Sequence, residues 1–186
     1  MDTARPRYRH LPNCITLLRI LSTACLIFIE PFSAAFYAVY SIAGLSDVLD
    51  GWMARKLKLT SDFGAQLDSV ADLFFYTTVI LRIYPVLWNT LPRVIWVGVW
   101  SIVGVRLFSY GLAAVKFRRF ASLHTYVNKV TGLMVFTLPY AVKTAFATPY
   151  SWCLCAVAAF GTLEELLIHI LSKEYDPNHK NLASLR

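Results

Sequence analysis

Six apolar stretches of about twenty residues each, divided by short polar or proline-bearing breaks, account for most of this chain. That length lets a helix cross ~30 Å of hydrocarbon, and lipid obliges each crossing segment to satisfy its own backbone hydrogen bonds. The pattern therefore predicts an all-α integral membrane protein, a six-transmembrane-helix bundle. Leu11-Pro12-Asn13 marks the start of the first helix, which runs to about Ile29 and is stopped by Glu30-Pro31. The second covers about Phe32–Ala54 and is followed by the turn Arg55-Lys56-Leu57-Lys58. Ser61 or Asp62 can cap the third, about Phe63–Tyr84, and Pro85 and Pro92 bracket the next connection. The fourth, fifth and sixth cover about Val94–Val115, Tyr126–Phe146 and Tyr150–Leu171. At 57% hydrophobic and 16% charged residues, a chain of 186 could not hide its apolar surface from water. Residues 1–186 read as one membrane domain, with a basic leader over 1–10 and a polar tail over 173–186. The first apolar run lacks a small-residue cleavage site and is expected to stay as an anchor.

Basic residues set the orientation. With the amino terminus inside, twelve of the 18 Lys and Arg residues fall in inner segments: Arg5, Arg7, Arg9, Arg55, Lys56, Lys58, Lys116, Arg118, Arg119, Lys173, Lys180 and Arg186. Only Arg82, Arg93 and Lys143 fall in outer segments, with Arg19, Arg106 and Lys129 within spans, so both termini are expected to be cytoplasmic. The net charge of +7 gathers at helix ends rather than on one stripe, which favours lipid head groups or phosphorylated substrates and argues against nucleic acid. Cys14, Cys25, Cys153 and Cys155 lie in apolar segments and read as small packing residues. Trp52, Trp88, Trp96, Trp100 and Trp152 fit interface belts or helix packing.

Against this background, four aspartates stand out: Asp47 and Asp50 near the end of the second stretch, Asp68 and Asp72 near the start of the third. A carboxylate near a bilayer core costs at least ~2.5 kcal/mol, so such residues face a cavity, a partner or one another. Spacings of three and four put each pair on one helical face, and a short loop makes the two helices antiparallel neighbours. Four converging carboxylates suit Mg²⁺ or Mn²⁺, which commonly share their ions with phosphate oxygens. Gly51 and Gly64 allow a ligand or backbone to come close, and Arg55 offers a guanidinium to a phosphate. Two other roles fit the same aspartates. They could pair with Arg19, Arg106 or Lys129 and hold the bundle together, or line the path of a membrane ion transporter. A boundary position rather than a midplane one weighs against transport.

The run Asp47-x2-Asp50-Gly51-x2-Ala54-Arg55-x8-Gly64-x3-Asp68-x3-Asp72 resembles the signature of the CDP-alcohol phosphotransferase family. Pro12-Asn13-x2-Thr16-x2-Arg19 is similar to its bacterial phosphatidyltransferase branch, which includes the phosphatidylglycerophosphate synthases. The resemblance implies transfer of a phosphatidyl group from CDP-diacylglycerol to a small polar alcohol, with release of CMP. Asp47, Asp50, Asp68 and Asp72 would hold two Mg²⁺ or Mn²⁺ ions, and Gly51, Ala54, Arg55 and Gly64 would line the CDP pocket. Asp72 would also be the general base. A homodimer in the bacterial cytoplasmic membrane, its active site facing the cytoplasm, is implied as well.

Acceptor choice is expected outside the signature, at Arg106, His124, Thr125, Asn128 and Lys129, with Lys116, Arg118 and Arg119 nearer the lipid head groups. Phosphatidylglycerophosphate synthases typically carry a Lys-x-Lys-Thr-x-x-Gln-like element where this chain has Ser122-Leu123-His124-Thr125-Tyr126-Val127-Asn128. The resemblance puts glycerol-3-phosphate first among acceptors. Replacement of both lysines keeps serine, inositol, inositol phosphate or another polyol open. Glu164 and Glu165 in the sixth stretch read as partners of a neighbouring helix or, for Glu165, of His169.

Overall fold

The computed structural model describes residues 11–57, 62–117 and 125–172, with side chains described except at 11–13, 48, 50–55, 57, 62–63 and 65. The leader, the tail and the possible cap Ser61 lie outside the described residues. Among the described residues six helices make up the regular structure: α1 (Leu11–Phe28), α2 (Ala34–Leu57), α3 (Asp62–Thr90), α4 (Arg93–Phe117), α5 (Tyr126–Ala141) and α6 (Ala147–Leu171). Over the described residues three of them are long and apolar enough to cross a membrane: α3 over Gln66–Thr90, α4 and α6. In α4 only Ile95, Ser109 and Ala113 are buried, while Val94, Val97, Trp100, Leu107, Phe108 and Val115 are exposed. A helix so apolar on its open faces needs an apolar surrounding.

α2 runs on through most of the expected turn to Leu57 and α6 starts at Ala147 rather than Tyr150, but two helix ends differ most from the sequence expectation. α3 does not stop at Tyr84 but carries Pro85 inside it and continues to Thr90, where Leu91 N–H still reaches the Leu87 carbonyl at 2.9 Å. Ending an apolar helix early would strand backbone groups in lipid, so a single missing N–H is the smaller cost. α5 closes at Ala141 rather than Phe146. Thr144 explains the stop. Its hydroxyl donates to the Ala141 carbonyl at 2.8 Å and accepts from Phe146 N–H, turning the chain before α6. Sixteen residues rise only about 24 Å, short of the ~30 Å hydrocarbon thickness.

The chain packs as two compact units, residues 1–86 and 87–186. In the first, α1 packs along α2. Three buried stripes have helical spacing: Thr16, Arg19, Thr23 and Leu26 on α1; Phe36, Tyr40 and Ala43 on α2; Ala71, Phe75, Val79 and Ile83 on α3. Phe36 stacks on Tyr40 and Tyr40 on Phe75, with centroids 5.8 and 5.6 Å apart. Phe32 holds a left-handed backbone (φ 65°) in the α1–α2 connection, a strained choice for a bulky residue, with its ring buried against Phe36. Arg82, assigned to an outer segment from the sequence, lies within α3 and donates to the Ile29 carbonyl just past the end of α1.

In the second unit α6 packs on both α4 and α5. Small residues allow this. A Cβ placed on Gly161 would come within 3.0 Å of Val127 Cγ1 and 3.2 Å of Asn128 Oδ1. Gly161→Ala should be nearly neutral, because the gain in helix propensity offsets a slight shift of Val127. Gly161→Leu should destabilise the unit by about 2–3 kcal/mol through overpacking, read as a loss of thermal stability in detergent. A Leu variant as stable as the Ala variant would show that this approach does not matter. At the end of α6, Lys116 donates to the carbonyls of His169 (2.9 Å) and Ile170 (2.7 Å), capping it with a positive charge. Ser109 and His169 Nδ1 meet at 2.8 Å between α4 and α6.

Candidate active site

The stripe that buries Phe36, Tyr40 and Ala43 on α2 continues, four residues on, to Asp47. On α3, Asp68 and Asp72 extend the stripe of Phe75 and Val79 in the same way. Helical periodicity thus carries all three carboxylates to one place. Asp47, Asp68 and Asp72 each offer an oxygen within 4.8 Å of the others. Their side chains are 42%, 44% and 39% exposed, so the cluster opens outward.

Its inner wall is Arg19, which is fully buried. Nη1 lies 3.1 Å from Asp47 Oδ1 and donates a short hydrogen bond to Asp72 Oδ1, while Nη2 lies 2.9 Å from Asp68 Oδ1. One planar fork therefore holds three carboxylates from two other helices. A lysine could not reach them all from fixed directions. Thr23 fixes the local backbone by donating to the Arg19 carbonyl at 2.8 Å. The sequence expectation named Arg19 among partners for the aspartates and at the end of the first-helix element Pro12-Asn13-x2-Thr16-x2-Arg19, not as the centre of their site. A cation in an apolar helix needs an acid, and these aspartates were the nearest supply.

The charge of the cluster indicates what else it can hold. Three carboxylates against one guanidinium leave a formal charge of about −2, on hard oxygen donors that face outward. That donor set fits a divalent cation of the Mg²⁺ or Mn²⁺ kind. Asp50, Gly51, Ala54 and Arg55 follow Asp47 on α2, with side chains outside the described residues. Gly64 is half-buried in the first turn of α3.

The expected acceptor residues belong to the second unit. Arg106 Nη2 donates to Asn128 Oδ1 at 2.6 Å and to Glu165 Oε2 at 3.1 Å, and Asn128 Nδ2 reaches the same Glu165 oxygen at 3.3 Å. Glu165 is fully buried, so the pair answers the need of a buried carboxylate for a cation. Thr125 caps α5, its buried hydroxyl accepting from Asn128 N–H at 3.2 Å. Lys129 is exposed, its ammonium 5.8 Å from the Tyr126 ring. His124, Arg118 and Arg119 lie outside the described residues. The structure thus brings Arg106 and Asn128 together and ties them to Glu165, for which the sequence expectation offered a neighbouring helix or His169.

Helices of membrane grade that carry a carboxylate cluster around one arginine define a class: membrane proteins with an acidic, metal-competent centre. The CDP-alcohol phosphatidyltransferase family profile matches residues 9–164, and the chain belongs to that family. It is 37% identical over 94 residues to a CDP-diacylglycerol–glycerol-3-phosphate 3-phosphatidyltransferase of Wigglesworthia glossinidia brevipalpis, covering 46% of this chain and 52% of the relative. A protein of the same description from Pseudomonas fluorescens is 35% identical over 97 residues, 48% and 50% of the two chains. A CDP-diacylglycerol–serine O-phosphatidyltransferase of Methanocaldococcus jannaschii is 37% identical over 63 residues, 34% and 29% of the two chains. The chain spans about half the length of the bacterial relatives it matches. No solved structure matches it.

Proposed function

We propose that this chain transfers a phosphatidyl group from CDP-diacylglycerol to a small polar alcohol and releases CMP. Family membership supports the reaction class, and the observation that carries the chemistry is the convergence of Asp47, Asp68 and Asp72 around Arg19. Asp47, Asp50, Asp68 and Asp72 would hold two Mg²⁺ or Mn²⁺ ions; when bound, these would neutralise the pyrophosphate and make CMP a better leaving group. Arg19 holds the carboxylates in register from behind. Gly51, Ala54, Arg55 and Gly64 would bind the CDP moiety, Arg55 through its planar fork. Asp72 takes the proton of the acceptor hydroxyl as that oxygen bonds to the lipid-bearing phosphorus. The phosphorus–oxygen bond to CMP breaks, and its electron pair leaves on the CMP phosphate.

Glycerol-3-phosphate is the proposed acceptor, supported by the names of the bacterial relatives. Arg106, His124, Thr125, Asn128 and Lys129 are the proposed acceptor residues. Purified protein given CDP-diacylglycerol, Mg²⁺ or Mn²⁺ and a panel of glycerol-3-phosphate, serine, inositol and inositol phosphate should release CMP with one of them. Folded protein that releases no CMP with any alcohol, yet moves ions across liposomes, would replace the transferase with a transporter.

The same proposal extends to topology. The chain would form one catalytic domain of six spans, with both termini and the aspartate cluster at the cytoplasmic face of a bacterial membrane, and would pair as a homodimer. The positive-inside bias supports the orientation. Reporter fusions at each terminus of the protein should both read as cytoplasmic.

A further inference from the structure

Away from the aspartates, a groove of about 540 Å³ is lined by Trp88, Arg93, Trp96, Val97, Trp100 and Ser101. Arg93, Trp96, Val97 and Trp100 fall at i, i+3, i+4 and i+7 of α4 and so share one face. Trp88 closes the groove from the last turn of α3, its ring 5.1 Å from that of Trp96. The guanidinium of Arg93 lies over the Trp88 ring at 5.4 Å. This contact is to a ring and takes up no acceptor, so the N–H donors of Arg93 remain available to a bidentate anion. Among the described residues Trp88 is the one partner of Arg93, and no carboxylate lines the groove.

From this we infer that the groove is a binding site for one anionic phospholipid, its phosphodiester on Arg93 and an acyl chain along Trp96, Val97 and Trp100. The position fits that occupant. Arg93 is the first residue of a 25-residue helix long and apolar enough to cross a membrane, which puts its charge at head-group level when α4 spans. Trp100 lies about 10 Å further along the helix, towards the hydrocarbon. A cation at the boundary above an aromatic stripe repeats the order of charge and apolar chain in a phospholipid. A second copy fits less well, since a two-fold contact through this face would oppose two arginines with no acid between them. A free phosphate would leave the tryptophan stripe without a role.

Delipidated protein in detergent, titrated with phosphatidylglycerol or phosphatidylcholine and followed by native mass spectrometry, tests this directly. The first phosphatidylglycerol should bind about ten-fold more tightly than phosphatidylcholine. Arg93→Gln should remove most of that preference, a loss of about five- to ten-fold, and Arg93→Lys should recover part of it. Trp100→Leu should weaken both lipids alike. CMP release by Arg93→Gln should stay within about two-fold of the parent protein, which keeps this site separate from the proposed reaction. Three results would overturn the proposal: equal binding of the two lipids, phosphatidylglycerol binding unchanged in Arg93→Gln, or its displacement by millimolar inorganic phosphate. Disulfide-linked dimers formed through Ser101→Cys would give the groove to a second copy instead.

Discussion

Replacing Asp72 by Asn is expected to lower CMP release by about 10²–10⁴-fold, the range typical of losing a positioned general base. The substitution keeps the shape of the side chain and one acceptor oxygen, so it removes the basic group while leaving the surroundings largely in place. CDP-diacylglycerol affinity should therefore fall only a few-fold. Asp47→Asn and Asp68→Asn should behave differently, losing metal-dependent nucleotide binding and turnover together, because their proposed task is ligation. Asp72 also accepts from Arg19, so some of its effect will be on stability. Thermal unfolding of each variant without metal separates that part. If all three variants lose nucleotide affinity to the same degree, Asp72 has no special role in proton removal and is simply another ligand.

The aspartate site was legible in the sequence because helical spacing is a local rule. A spacing of three from Asp47 to Asp50 and of four from Asp68 to Asp72 predicts the face on which each pair projects. One short connection then makes the two faces neighbours. The six helices were legible for a similar reason, since apolar length and breaks between segments are read without knowing any partner. What escaped depends on contacts between distant residues. Arg19 reaches Asp68 and Asp72 across 49 and 53 residues, and Arg106 reaches Glu165 across 59. No local spacing predicts which buried cation meets which acid. The ends of α3 and α5 escaped because the usual terminators act differently in an apolar helix. Pro85 did not stop α3, while a threonine hydroxyl bonded to its own turn closed α5 early.

The same geometry makes Arg19 the most consequential residue for stability. With Arg19→Met, three carboxylates within 4.8 Å of one another lose the guanidinium that bridges them. Breaking a fully buried pair costs about 3–5 kcal/mol; here the acids are partly exposed and solvent screens their repulsion, so about 2–3 kcal/mol is expected. For a chain of this size that is a fall in Tm on the order of 5–10 °C. A divalent cation can take over the neutralising role, so Mg²⁺ or Mn²⁺ should restore more stability to Arg19→Met than to the parent protein. Arg19→Lys should fall between the two, since a point charge cannot reach all three carboxylates as the fork does. Adding the metal ion while following unfolding in detergent distinguishes two origins of the loss. If Arg19 served only to fill space, the methionine variant would be nearly as stable as the parent, and the cation would raise both melting temperatures equally. A metal response that grows when the guanidinium is removed would mean that arginine and cation neutralise the same three carboxylates. That is the behaviour expected of a site whose protein charges are deliberately left incomplete.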